Sequence, residues 1–190
     1  MTDFSNDIEQ CLRVLKSGGV ILYPTDTIWG IGCDATDENA VERVMEIKRR
    51  PQNKSFVVLV ADENDVLKYT AGPDLEVFNY LEKTERPTTV VYDHAIGIAG
   101  NALAADGSVA IRIVRDPFCR QLIRRFRKPL LSTSANLSGE PSPANFGAIS
   151  AEIIQNVDYV VEHRRNDTAA ALPSSIIKWG SDGKFTILRP

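Results

Sequence analysis

At 190 residues, 43% of them hydrophobic, the chain is long enough to bury one sizeable core and to carry a site of its own. Its net charge of −3 gives no whole-chain reason to expect nucleic-acid binding, and with neither a basic leader nor an apolar run of bilayer length it is expected to have no membrane span and to reside in the cytoplasm. Cys11, Cys33 and Cys119 are odd in number and far apart, which suits reduced core thiols rather than a disulfide framework. Two histidines without paired-cysteine spacing are a poor basis for a dedicated zinc site.

Residues 5–17 carry Ile8, Leu12 and Leu15 on one helical stripe, and Gly18-Gly19 predicts its stop. Residues 20–23 follow as an apolar strand closed by Pro24. "ATDENAVERVMEIKRRP" predicts a helix capped near Asp37, with Val41, Val44 and Met45 inward. It ends before Pro51, leaving Lys48 and Arg50 at its end. "SFVVLV" is a continuous apolar run and is expected in the middle of a sheet. Helices around residues 64–69 and 74–82 and a strand at "TTVVY" come next.

"GSVAIRIV" places Val109, Ile111 and Ile113 on one strand face and Ala110 and Arg112 on the other, so a charge is set into an otherwise core-like element. "RDPFCRQLIRRFRKP" predicts a helix capped by Asp116, with Pro117 in its first turn, Phe118, Leu122 and Phe126 inward and an arginine-rich outer face. "LLSTSANLSG" begins as a strand at Leu130 and turns into a polar loop. "SAEIIQNV" reads as a short helix and "YVV" as a strand, and the closing "SSIIKWGSDGKFTILRP" reads as a hairpin. This irregular alternation predicts an α/β fold: a single domain over residues 1–190, built on a twisted mixed sheet flanked by helices.

Four polar groups stand on or at the ends of the expected strands: Thr25 and Thr27, Arg112, residues 132–136, and Ser174-Ser175. Strand ends are where open α/β sheets bind ligands, and the convergence of the four is the signal. Lys48, Arg49, Arg50 and Lys54 add a cluster suited to an anion, Arg as a planar fork and Lys as a point charge. A phosphate loop, a dinucleotide fingerprint and a nucleophile elbow are all absent. Catalysis is therefore expected to be electrostatic, through fixed cations and donors around a phosphorus or carboxyl centre.

At "YPTDTIWGIGCDA", "IKRRPQNKSFVVLV", "SVAIRI" and "STSANLSGEPSP" the sequence resembles the YrdC family of threonylcarbamoyl-AMP synthases, from about Gly19 to the closing "ILRP". The family's paired K-x-R and S-x-N signatures stand as Lys48-Arg49-Arg50 and Ser134-Ala135-Asn136. The resemblance implies a YrdC-like fold that joins L-threonine, bicarbonate and ATP into threonylcarbamoyl-AMP and pyrophosphate for tRNA modification, with a partner transferase complex taking the product. By similarity, Thr27, Arg112, Ser132 and Ser174 would hold threonine. Lys48, Arg50, Lys54, Ser108, Ser134, Asn136, Ser142 and Arg189 would surround ATP, and Lys48, Arg50 and Arg112 would carry the catalysis. Mg²⁺ would arrive with the nucleotide.

Leu59 departs from the histidine, and Lys54-Ser55 from the Asn-Pro, that many relatives carry. Without the extra C-terminal domain of the long family members, closure over the nucleotide is expected to come from the chain ends or a partner. Two alternatives compete: another carbamoyl-adenylate-forming enzyme, and a non-catalytic module binding tRNA or double-stranded RNA through Arg124 and Arg125.

Overall fold

The computed structural model describes residues 4–50, 56–169, 171–180 and 183–190. Helix α1 (Ser5–Lys16) buries Ile8, Cys11, Leu12 and Leu15. It ends in a Schellman closure: Gly19 N donates to Val14 O at 2.9 Å and Gly18 N to Leu15 O at 3.2 Å, while Gly18 takes the left-handed φ of 75° that glycine tolerates. Strands β1 (Ile21–Tyr23) and β2 (Gly30–Asp34) follow, then α2 (Glu38–Lys48), whose Asp37 cap accepts from Asn39 N and Ala40 N. Next come β3 (Val57–Val60), α3 (Glu63–Tyr69), α4 (Glu76–Lys83), β4 (Thr88–Tyr92) and β5 (Val109–Ile113). Helix α5 (Pro117–Phe126) starts with proline in its first turn, and Asp116 accepts from Cys119 N at 2.8 Å. The chain closes with β6 (Leu130–Ser134), α6 (Ala151–Asn156), β7 (Tyr159–Val160), β8 (Ser175–Trp179) and β9 (Phe185–Arg189).

The strands form one nine-stranded sheet in the order β7-β1-β2-β6-β3-β5-β4-β8-β9. Pairs β1–β7, β3–β5 and β4–β8 are parallel and the rest antiparallel, giving the mixed sheet expected from the alternation. The apolar run of β3 takes the central position. Strand β2 was not anticipated from the sequence: Gly-Ile-Gly-Cys-Asp has neither β-branched density nor a clean alternation. Its glycines admit neighbours that a side chain would exclude. A Cβ on Gly32 would stand 2.6 Å from Leu131 O and 2.7 Å from a Tyr23 ring carbon.

Alternation splits the interior into two cores. On one face Leu22, Ile31, Val58, Val60, Val90, Ile111 and Leu131 pack with Val41, Val44, Val77 and Ile153 from the helices. On the other, Ile21, Tyr23, Leu59 and Leu130 pack against Ile8 and Leu12 of α1 and Phe118 and Leu122 of α5. All three cysteines are buried and unpaired, as core residues. Helices α1 and α5 leave part of that second face uncovered, and the site opens there. No helix among the described residues is long and apolar enough to cross a membrane.

Candidate active site

Side chains of one parity on β6, β3 and β5 point to the second face. Gly30 pairs with Ser134 in register, Val57 with Ser132 and with Ala110, and Leu59 with Arg112. Gly30, Val57, Ala110, Arg112, Ser132 and Ser134, together with Ile176 of β8, floor a pocket of about 230 Å³. A Cβ on Gly30 would lie 2.9 Å from Ser132 Oγ, so glycine there is what lets the serine stand in the floor.

The walls come from four separate loops. The turn after β1 contributes Thr25, Thr27, Ile28 and Trp29. It is held by Thr27 N donating to Thr25 Oγ1 at 3.0 Å and Thr25 Oγ1 donating to Ile28 O at 2.8 Å. Arg50 and Phe56 form a second wall, the guanidinium lying 4.5 Å over the ring. Ser142 stands at the rim. Ser174 lies opposite, its hydroxyl sharing a 2.8 Å hydrogen bond with Thr89 Oγ1 and its carbonyl accepting from Arg189 Nη2 at 2.8 Å and Nε at 3.1 Å.

Arg50, Arg112 and Arg189 thus converge on a pocket whose described lining contains no carboxylate. Burial lowers the guanidinium pKa of Arg50, and burial with Arg112 and Arg86 nearby lowers that of Arg189. Arginine still stays protonated at neutral pH. Desolvated cations held together favour a polyanionic occupant. Arg112, 5% exposed, pairs with Asp26 at 3.1 Å and leaves its buried Nε without a hydrogen-bond partner.

Of the residues singled out from sequence, Thr27, Arg50, Arg112, Ser132, Ser134, Ser142, Ser174 and Arg189 line this pocket. Lys54 lies outside the described residues. Three others are not among the described lining residues. Lys48 is 1% exposed and lies behind the lining residue Ser134, its Nζ donating to Ser134 O and, at 2.6 Å, to Asn136 O. Burial, then the neighbouring Arg50, pushes its pKa down to about 7. Asn136 is also off the lining, and its Nδ2 ties the loop to Leu137 O at 2.9 Å and Glu140 O at 2.7 Å. Ser108 is buried just before β5, outside the lining, with its N donating to Asp106 Oδ1 at 3.0 Å. The left-handed φ of 50° at Arg49 separates the basic cluster: Arg49 turns to the surface and pairs with Glu152 at 2.6 Å, and Arg50 enters the pocket.

Sequence reasoning missed Asp26 and the apolar walls Trp29, Phe56 and Ile176. The quoted "YPTDT" contained Asp26 as its only acid, which was the available signal.

The chain is similar to known proteins over most of its length. Residues 13–190 match a family model named for Sua5, YciO and YrdC and described as "Telomere recombination". A threonylcarbamoyl-AMP synthase of Xanthomonas euvesicatoria is 32% identical over 193 residues, covering 93% of this chain and 94% of that protein. A putative threonylcarbamoyl-AMP synthase of Methanocaldococcus jannaschii is 33% identical over 180 residues, covering 95% of this chain and 84% of that one. The crystal structure of P. abyssi Sua5 complexed with L-threonine shares the fold with a TM-score of 0.85 at 22% identity, and all of this chain matches 55% of that longer one. The chain belongs to the Sua5/YciO/YrdC family.

Proposed function

We propose that this protein is an L-threonylcarbamoyladenylate synthase, joining L-threonine, bicarbonate and ATP into threonylcarbamoyl-AMP and releasing pyrophosphate. The observation that carries this reading is the pocket itself: three converging guanidiniums, that of Arg112 buried and that of Arg50 half-buried, no lining carboxylate among the described residues, and a hydroxyl-bearing sheet floor. Its relatives named threonylcarbamoyl-AMP synthase support it.

In this reaction the threonine amine attacks the carbon of bicarbonate, a C–O bond breaks and water leaves to give a carbamate, and a carbamate oxygen then attacks the α-phosphorus of ATP as the bond to the bridging oxygen breaks and pyrophosphate leaves. Both steps gather negative charge in one place, so the chain's contribution is to hold anions in line and neutralise them. Arg112, Thr27, Ser132 and Ser174 hold the amino acid. Arg50 and Arg189 hold the phosphates, and Ser134 and Ser142 supply hydroxyl donors. The described lining offers hydroxyls and no carboxylate, so magnesium would arrive with ATP, and Ser134 and Ser142 would be the nearest protein oxygens to offer it. The product passes to a transferase complex that modifies tRNA.

On the arginine face of α5, Arg125 pairs with Glu9 at 2.6 Å and Arg124 with Asp62 at 3.7 Å, which offsets part of the basic charge that an RNA-binding role would use. The decisive experiment is mass-spectrometric detection of the adenylate, with pyrophosphate release, from protein given ATP, Mg²⁺ and bicarbonate with and without L-threonine. Product that depends on both threonine and bicarbonate is expected. Its absence from folded protein would overturn the reading.

A further inference from the structure

We infer that Asp26 is a positioning residue for the amino-acid half of the site, holding the Arg112 guanidinium in place for the threonine carboxylate. The inference rests on the synthase reading above and adds to it a residue that is not itself part of the pocket lining and acts through Arg112.

Arg112 stands on β5 with 5% exposure, so its charge is almost wholly withdrawn from water and needs a fixed counter-charge. Its register neighbour on β3 is Leu59, which offers the guanidinium no hydrogen bond. Asp26, its side chain 10% exposed, supplies the charge, with Oδ1 at 3.1 Å from Nη2. That contact is an ion pair rather than an aligned hydrogen bond, because Oδ1 itself lacks a hydrogen-bond donor. Asp26 therefore fixes the head group of a residue that lines the pocket while contributing no atom to the lining itself.

The other carboxylate oxygen has a different task. Asp26 Oδ2 accepts from Arg115 N at 3.1 Å, so one side chain grips β5 by a head group and by the backbone three residues further on. Asp26 also sits between Thr25 and Thr27, in the turn closed by the Thr25 hydroxyl. Thr27 and Arg112 lie 85 positions apart in the chain yet line one pocket, and Asp26 sets the distance between them. Arg164 Nη1 steadies the same turn through Thr25 O at 2.9 Å.

The test is steady-state adenylate synthesis by Asp26→Asn, Arg112→Ala and the double variant, with threonine and ATP varied separately and melting temperature measured alongside. Asn keeps an acceptor for Arg115 N and removes only the charge. The expected result is a KM for threonine raised about tenfold or more, a KM for ATP within about twofold of wild type, and a double variant no worse than Arg112→Ala alone. An unchanged threonine KM, or effects that multiply in the double variant, would overturn the proposal. Asp26→Glu keeps the charge and displaces the head group. If Asp26→Asn does not fold, Asp26→Glu carries the test, a selective rise in threonine KM supporting the proposal and an equal rise for both substrates overturning it. Wild-type protein that makes no adenylate would instead defeat the synthase reading, whatever the variants do.

Discussion

Lys48 Nζ donates to the main-chain oxygen of Asn136 at 2.6 Å, joining the C-terminal turn of α2 to the loop after β6 from inside the protein. A second bond reaches Ser134 O, and the Lys48 carbonyl accepts in return from Ser138 N at 2.9 Å. No carboxylate pairs with this lysine among the described residues, and two carbonyls match the two N–H groups of a neutral amine. Burial, then Arg50, pushes its pKa down to about 7, well below the ordinary 10.5. Between pH 7 and 10.5 the unfolded chain therefore holds a proton that the folded protein does not, and Lys48 adds stability as pH rises through that window, at no more than about 1.4 kcal/mol per pH unit. Urea unfolding of wild type and Lys48→Met from pH 6.5 to 9 should show the wild-type advantage growing with pH. Parallel curves would mean that the amine keeps its charge when buried.

Arg49 and Arg50 are adjacent in sequence and opposite in consequence. Arg50 lies in the pocket against Phe56, and Arg49 lies on the surface with a 71% exposed side chain. Arg50→Ala should lower kcat/KM for ATP by about 100-fold with an unchanged circular dichroism spectrum, the scale of losing one preorganised charge donor. Arg49→Ala should leave activity within about twofold, because exposed ion pairs are worth at most about 1 kcal/mol. Similar losses in the two variants would contradict this division.

Two glycines of β2 should respond differently to the same methyl group. At Gly32 the new Cβ would meet Leu131 O at 2.6 Å and the Tyr23 ring at 2.7 Å, neither of which can withdraw without moving the strand pairing. Gly32→Ala should therefore cost about 3 kcal/mol or more by overpacking. At Gly30 the nearest atom is Ser132 Oγ at 2.9 Å, the end of a side chain that can rotate, with Thr133 O next at 3.4 Å. Gly30→Ala should cost about 1 kcal/mol in stability and fall mainly on threonine KM, since it displaces a floor hydroxyl. Chemical denaturation with substrate titration separates the two outcomes.

These glycines also mark where the sequence stopped being legible. The amphipathic stripes of α1, α2 and α5, the caps Asp37 and Asp116, and the unbroken apolar run of β3 are local signals, and each element formed where its periodicity placed it. The convergence of the threonine turn, Arg112, the serines of β6 and Ser174 was visible as polar groups on or at the ends of strands. Strand β2 was invisible because close approach, not β-propensity, selects its residues. The contacts of Lys48 and Asp26 were illegible for another reason: their partners lie 88 and 86 positions away, and no local pattern tells a buried brace from a ligand-facing charge. The αL turn at Arg49 that separates Lys48 from Arg50 is equally hidden, since arginine carries no signal for a positive φ.

Asp7 extends the same logic to the segment that runs from β7 toward β8. From the first turn of α1 it accepts from Tyr159 Oη at 2.6 Å, Glu162 N at 2.9 Å and His163 N at 2.9 Å, so a nearly buried carboxylate is fully used by donors on one distant stretch. Directly after them Arg164, at a left-handed φ of 65°, bonds the threonine turn and pairs with Asp167 at 3.3 Å. Asp7→Ala leaves two backbone N–H groups without an acceptor and should cost about 2–3 kcal/mol, most of it from those orphaned donors. Hydrogen exchange locates the effect: the amides of Glu162 and His163 should exchange faster than those of β3 at the sheet centre, which open only with the whole protein. Protection lost equally at both places would mean that Asp7 acts on global stability alone, without a local hold on this segment.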